Sequence, residues 1–296
     1  MIHKTIALIR NYLVLGKAGI SISVAFTTAA GYVLSSGKID SAVIPTALGV
    51  YLLAMSASII NQIIELKADS LMPRTMTRPL VNLSITVKTA LLLSIILGVV
   101  GMAILYICCG TIPAILGLFT HIWYNAVYTP LKYRTAFAAF PGGVSGAIPP
   151  LIGWISGGGA IMHHTAIALA TFLFIGQIPH FWLIILKYGE EYKKAGIKTI
   201  TERLTIPQIK RLVLVWVITT AIAGCLLTFF LLIRQNATFY SINLLSLALF
   251  IYFLSWYIKP SMHYHKAAFI LINVYYLLVL LLLVLDVIFH SYVHYL

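Results

Sequence analysis

The sequence predicts an all-α, polytopic membrane protein of about nine transmembrane helices, and three observations carry that prediction. The 296 residues are 61% hydrophobic and only 9% charged, with a mean hydropathy of +0.99. Water-soluble domains are closer to half apolar and one-quarter charged. Runs such as 212–233 and 267–289 are apolar on every side instead of alternating, which selects helices over barrel strands. Charged clusters are separated by apolar stretches of about 20 residues, the length of helix that crosses a hydrocarbon core of about 30 Å.

Taken in order, the spans are expected near 18–35, 41–63, 88–108, 111–130, 137–156, 164–186, 212–233, 239–258 and 267–289. The mixed, basic stretch Met1 to Lys17 leads straight into the first and reads as no cleavable leader. The second runs into a long polar loop, 64–87, and the sixth into another, 187–211, which hints at a duplicated half. The connections between the third and fourth and between the fifth and sixth are short and nearly uncharged. Residues 1–296 read as a single domain. Cys108, Cys109 and Cys225 fall inside apolar runs without metal-ligand spacing and read as packing.

Charge placement fixes the expected orientation. Lys4, Arg10 and Lys17 precede the first span, while Lys38 and Arg234 alone fall on the opposite side, so eighteen of the twenty Lys and Arg residues share one face. The positive-inside rule makes that face cytoplasmic, with the N-terminus and both long loops on it. The basic excess thus records topology and implies no nucleic-acid partner. For a bacterial chain the expected location is the inner membrane.

The chemistry is concentrated in two clusters. The first, Asn61 to Leu80, begins inside the second apolar run. At 3.6 residues per turn Asn61, Glu65 and Asp69 share one helix face. An acidic residue costs about 2.5–3.5 kcal/mol in mid-membrane, so such a face is expected to meet water, a metal or a cation. Mg²⁺ suits it, because this ion takes one or two carboxylates and completes its octahedron with water and phosphate oxygens. Arg74 and Arg78 follow, and guanidinium donors match phosphate. The bland alternative is an interfacial loop with topogenic arginines.

The second cluster runs from Gly176-Gln177-Ile178-Pro179-His180-Phe181-Trp182 through Lys187, Glu190, Glu191 and Tyr192 to Ala195-Gly196-Ile197. Between the two lie Tyr128-Thr129-Pro130-Leu131-Lys132-Tyr133-Arg134-Thr135 and the Gly/Pro-broken run Pro141 to Trp154, whose small residues permit close helix approach. His163, His164, His263, His265, His290 and His294 lie near span ends, where interfacial solvation explains them. His121 and His180 lie within spans. Asp286 receives no role.

In this order the motifs resemble those of the protohaem farnesyltransferases, or haem O synthases, of the UbiA-type intramembrane prenyltransferase superfamily. The likeness runs from Lys17 and Phe26-Thr27-Thr28-Ala29-Ala30-Gly31-Tyr32 to Ala195-Gly196-Ile197. The Gly-Ala-x-Pro-Pro-Leu-Ile-Gly-Trp and Pro-His-Phe-Trp runs point to the haem branch. The resemblance implies transfer of farnesyl from farnesyl diphosphate to a haem b vinyl group with Mg²⁺. It implies that Asn61, Glu65, Asp69 and Glu191 hold metal and diphosphate, and that Arg74, Arg78, Lys132, Arg134, Lys187 and Tyr192 bind the diphosphate. Tyr128, His180 and Trp182 would lie at the prenyl or haem pocket. A downstream haem-modifying membrane enzyme is the protein partner it suggests. The chain departs from the family pattern where Glu65 and Glu191 stand for Asp and where Lys67 replaces a further Asp of some members. Competing readings are prenylation of a quinone precursor, a haem-binding electron carrier and a transporter.

Overall fold

The computed structural model describes residues 2–231, 233, 235–259 and 264–293, which are helix, turn and loop with no strand among them. Met1, Arg234, His263 and His294 lie outside the described residues, as do the side chains of Lys4, His265 and His290. The helices are α1 Ile2–Leu15, α2 Ala18–Ser36, α3 Val43–Ile64, α4 Leu66–Leu71 and α5 Val87–Ile104, which a π-turn prolongs over Leu105–Cys109. Next come α6 Thr111–Ile122, a π-turn at Trp123–Tyr128 and α7 Thr129–Leu131. The remainder are α8 Ala139–Ser156, α9 His164–Lys194, α10 Ile206–Phe230, α11 Asn236–Ile258 and α12 Tyr264–Val293.

Among the described residues seven helices are long and apolar enough to cross a membrane. The other two expected spans are present as α6 to α7, threaded through a π-turn, and as α8. Large apolar side chains face outward, among them Leu91, Ile95 and Val99 of α5, Ile222 and Phe229 of α10, and Leu244 and Ile251 of α11. An aqueous surface would penalise that arrangement, whereas lipid is its natural solvent. The protein is an integral, multi-pass membrane protein.

The helices form a closed bundle: α2 packs on α3 and α8, α8 on α9, α9 on α10, and α12 returns to touch both α9 and α2. The larger apolar core joins α9 to α12, around Phe172, Trp182, Val213, Phe253 and Val279. A smaller one, around Val50, Leu53, Leu105 and Ile152, joins α3, the first π-turn and α8.

Three elements differ from the sequence expectation. The basic N-terminal stretch is helical, because Ile6, Leu8, Ile9 and Leu13 give it apolar faces that remain exposed for an interface. The helix expected to carry Asn61, Glu65 and Asp69 is interrupted at Glu65, between α3 and α4. The sixth span does not end near residue 186; α9 continues through 31 residues to Lys194. The helix passes through Pro179, and beyond residue 186 it meets no further proline and no left-handed glycine before Gly196 (φ 76°), while Lys193 and Lys194 complement the partial negative charge of its C-terminus.

The crossing of α2 and α8 is set by glycine. A Cβ at Gly31 would overlap the carbonyl of Pro150, and one at Gly153 would overlap that of Thr28. Because backbone stands on the other side, neither overlap can relax by a rotamer change. Gly153→Ala is therefore expected to destabilise the bundle by about 1–3 kcal/mol, read as a lower unfolding midpoint in a denaturant titration in micelles, and Gly153→Val by more.

Candidate active site

The site starts at the corner between α1 and α2. Gln62 of α3 donates from Nε2 to the carbonyls of Val14 (3.2 Å) and Leu15 (2.7 Å), satisfying the open end of α1. Lys17 then takes a left-handed conformation, φ 47° and ψ 48°, unusual for a residue with a Cβ. That turn carries its ammonium back to α3, where it donates to Asn61 Oδ1 at 2.8 Å. The Asn61 amide in turn donates to Thr129 Oγ1 (3.1 Å), and the Thr129 hydroxyl donates to the Tyr124 carbonyl at 2.8 Å. Pro130 lacks an N–H, and the Thr129 hydroxyl serves a carbonyl of the π-turn directly before it.

At Glu65 (φ −91°, ψ 8°) the helix is interrupted for one residue before α4 resumes. Asn61, Glu65 and Asp69 are nonetheless all buried, at 0%, 7% and 2% exposure. Glu65 is ion-paired with Lys132 and Asp69 with Arg78. Thr75 Oγ1 donates to the Asp69 carbonyl at 2.9 Å, closing the loop that returns Arg78 to α4. Burial pushes the Glu65 carboxyl up, but Lys132, Lys17 and Asn61 together outweigh it and the net shift is downward. For Asp69 burial prevails over the Arg78 guanidinium and the net shift is upward. Burial, with the nearby Arg78 charge, lowers Lys17 to about 7.

The opposite wall comes from α9. Arg74 lies over the rings of Tyr188 (4.8 Å) and Tyr192 (5.4 Å) and donates to Tyr192 Oη at 2.9 Å. The backbone N–H of Lys198 donates to the Lys132 carbonyl at 2.9 Å, and Ala68, Met72, Ala195 and Ile197 bury one another. The three polar segments thus meet around one mouth. Below it opens a cavity of about 510 Å³. Lys17, Asn61, Glu65, Asp69, Arg74, Arg78 and Lys132 ring its polar end, and Tyr124, Tyr128, Gly142, Gln177, His180 and Phe181 line its walls. A Cβ at Gly142 would meet Tyr128 at 2.7 Å and Phe181 at 3.0 Å, so the glycine is what leaves room there. Farther in, His121 Nε2 and Ser56 Oγ are 3.0 Å apart, and Ser56 donates to the Ser94 carbonyl at 2.8 Å.

Of the residues singled out in the sequence, Asn61, Glu65, Asp69, Arg74, Arg78, Tyr128, Lys132, His180 and Tyr192 share this cavity. Four do not line it. Trp182 follows Phe181 by about 100° of helix turn and packs instead against Phe140 (6.1 Å) and Trp216 (6.3 Å) in the core. Arg134 and Lys187 are exposed on the outside, Lys187 lying over Tyr188 at 4.7 Å. Glu191 sits on α9 with Oε2 buried and lacking a hydrogen bond. Sequence reasoning passed over Lys17, Tyr124, Gln177 and His121 as cavity residues. In sequence Lys17 reads as a topological charge, and the signal for it is that the family likeness begins there.

Oxygen donors of this kind fit a hard cation. Two carboxylates and an amide oxygen face one cavity, and a further carboxylate oxygen on α9 is buried without a partner. Among the described residues no three His, Cys, Asp or Glu side chains form a closed metal cage. Mg²⁺ needs only one or two protein carboxylates when phosphate supplies the rest.

The description "UbiA prenyltransferase family" matches residues 24–280. A protein named Protoheme IX farnesyltransferase from Geobacter sulfurreducens is 38% identical over 195 residues, 65% of this chain and 71% of that one. One of the same name from Cytophaga hutchinsonii is 40% identical over 189 residues, 63% and 66% of the two chains. Another, from Nitratidesulfovibrio vulgaris, is 32% identical over 230 residues, 78% and 80%. Among solved structures, that of a digeranylgeranylglyceryl phosphate synthase superposes with a TM-score of 0.76 at 17% identity over 95% of this chain and 98% of that one. A UbiA homolog from Archaeoglobus fulgidus bound to GPP and Mg²⁺ gives 0.66 at 16% identity, covering 94% and 99%. At those identities the likeness is one of fold.

Removing one member of a buried ion pair leaves the other uncompensated. Lys132→Ala is expected to lower unfolding stability by about 3 kcal/mol, and adding Glu65→Gln in the same chain to recover most of it, as read by a double-mutant cycle of unfolding midpoints.

Proposed function

The chain belongs to the UbiA prenyltransferase family, and from that premise we propose that it is a protohaem IX farnesyltransferase. It transfers farnesyl from farnesyl diphosphate to a vinyl group of haem b and releases diphosphate. The observation that carries this reading is that a single cavity joins a cation-rich, carboxylate-bearing mouth to an interior walled by Tyr124, Tyr128, His180 and Phe181. Its aromatic and aliphatic walls suit an isoprenoid, and its polar end suits a diphosphate. The choice of haem as acceptor is supported by relatives named for that reaction at 32–40% identity and by His180 at the wall, where an imidazole can meet a haem.

In this mechanism the allylic C–O bond breaks as the vinyl terminal carbon bonds to farnesyl C1. Water then adds at the carbon next to the macrocycle and loses a proton, leaving a hydroxyethylfarnesyl group. Negative charge builds on the departing diphosphate, so the useful catalysts are fixed positive charges. Arg74, Arg78 and Lys132 supply them, Arg74 being oriented by the two tyrosine rings of α9. Mg²⁺ held by Asn61, Glu65 and Asp69 would add further stabilisation of that leaving group. Tyr128 and Phe181, with ring centroids 5.8 Å apart, present π-faces to the cationic allyl fragment and exclude water from it. Glu191 is assigned the second acidic position, and Tyr192 acts through Arg74. The polar mouth faces the cytoplasm of a bacterial inner membrane, where farnesyl diphosphate is dissolved and haem is delivered.

Purified protein supplied with haem b, farnesyl diphosphate and Mg²⁺ is expected to yield a hydroxyethylfarnesyl haem by mass-resolved chromatography. Asp69→Ala or a chelator should cut the rate at least roughly 100-fold. A prenylated product on some other acceptor, with haem unreacted, would sink the haem assignment while sparing the prenyl-transfer reading.

A further inference from the structure

The reaction makes opposite demands on water. The allylic cation must be kept from it, which Tyr128 and Phe181 do, yet the second cation, on the carbon next to the macrocycle, must receive one water and shed one proton. Just beyond those rings the cavity wall turns polar. Gly142 sits between Tyr128 and Phe181. From there α8 descends to Ser145, while α9, running the other way, places His180 and Gln177 one and four residues before Phe181. At 1.5 Å per residue, Ser145 and Gln177 lie about 4–6 Å deeper than the aromatic pair. A Cβ on Gly146 would meet Gln177 Cγ at 3.0 Å and its Nε2 at 3.4 Å, so this glycine lets the amide stand against α8 next to Ser145. Ser145, Gln177 and His180 all line the cavity, and Ser145 Oγ and His180 Nδ1 are buried without a hydrogen-bond partner in the chain. A buried polar group left unpaired is costly, and a water held between facing helices satisfies two to four such groups at once.

The other side of the imidazole is tied to α12. His180 is hydrogen-bonded to the Asn273 side chain, and because Nδ1 has no partner the bond falls to Nε2. The Asn273 amide N–H donates to the Phe269 carbonyl at 2.6 Å, which orients the side chain so that its Oδ1 accepts from the ring. The ring proton is thereby placed on Nε2, and Nδ1 shows a bare lone pair to the cavity. Phe269 packs against the ring, with centroids 4.7 Å apart.

We infer that Ser145, Gln177 and His180 hold the water that completes the reaction, with His180 Nδ1 as the base that takes its proton and Asn273 as the positioning residue that fixes the tautomer. This rests on reading the chain as a haem farnesyltransferase. As the vinyl π pair bonds to farnesyl C1, the C1–O pair leaves with diphosphate. The water oxygen then bonds to the carbon next to the macrocycle, and one of its protons passes to Nδ1. The imidazolium gives that proton to water at the mouth as diphosphate departs, so the net change is addition of farnesyl and hydroxyl across the vinyl group. Without a held water the same cation sheds a proton from the adjacent carbon and becomes an alkene.

The test supplies the protein in nanodiscs with haem b, farnesyl diphosphate and Mg²⁺ in ¹⁸O-labelled water. Mass-resolved chromatography then reads the ratio of hydroxyethylfarnesyl haem to the alkene adduct that is one water lighter. The unmodified protein is expected to give mainly the labelled hydroxyl product. His180→Gln is expected to lower the ratio by about 10-fold or more, and Ser145→Ala and Asn273→Leu by about 3-fold. A residue that only supports the fold would slow both products together and leave their ratio alone. An unchanged ratio in any of the three variants overturns the inference and leaves farnesyl transfer standing. So does a bound haem whose imidazole-ligated Soret spectrum is lost in His180→Gln, since Nδ1 then sits on the iron. If His180→Gln makes neither adduct, Ser145→Ala decides by the same ratio. If the unmodified protein makes no prenylated haem at all, the functional reading fails and the inference with it.

Discussion

Carboxylates placed among lipid-embedded helices need partners, and the pairing of Glu65 with Lys132 and Asp69 with Arg78 is the constraint around which one end of this bundle is built. Each pair closes a different distance in the chain. Arg78 returns to Asp69 through a tight loop that Thr75 ties down. Lys132 reaches Glu65 only if α6, its π-turn and α7 stand against the end of α3. The contact of Asn61 with Thr129, 68 residues away, fixes that same juxtaposition with neutral groups. Electrostatics and helix packing thus specify one arrangement, and the cavity mouth is what remains between them.

Departures from regular helix fall where this mouth needs them. The interruption at Glu65 lets α4 turn while keeping Asp69 inward. The π-turn at Trp123–Tyr128 adds width just where Tyr124 and Tyr128 line the wall, in keeping with the frequent use of such turns at functional sites. Gly142 clears space between two aromatic rings. The rest of the bundle, from α9 to α12, is packed on a continuous apolar core and gives these irregular segments a rigid support.

The bundle was legible in the sequence because lipid imposes a length on apolar runs, and the nine runs stand out against charge. What could not be read was where polar helix continues past such a run: α9 reaches Lys194 because nothing breaks it, and hydropathy carries no information on that point. For the site, residue type and spacing singled out Asn61, Glu65 and Asp69, although the single continuous helix assumed for them is interrupted at Glu65. The resemblance implies Trp182 at the pocket with His180, but one residue of helical rotation beyond Phe181 turns it into the core. Lys17 is left out of the expected site because a lysine at a span entrance has an ordinary topological explanation. Only the left-handed corner, invisible to pattern reading, shows it turning back to Asn61.

The chain separation of the two ion pairs also bears on how the protein is made. Asp69 and Arg78 are nine residues apart and leave the ribosome almost together. Lys132 is synthesised nearly seventy residues after Glu65, a delay of about 3–14 s at roughly 5–20 residues per second. Throughout that interval Glu65 lacks its ion-pair partner Lys132. Its place at the very end of α3, instead of a turn deeper, lets the nascent carboxylate wait in the hydrated boundary of the bilayer until the fourth span arrives to cover it. The order of translation therefore limits how far into the membrane such a carboxylate can be set.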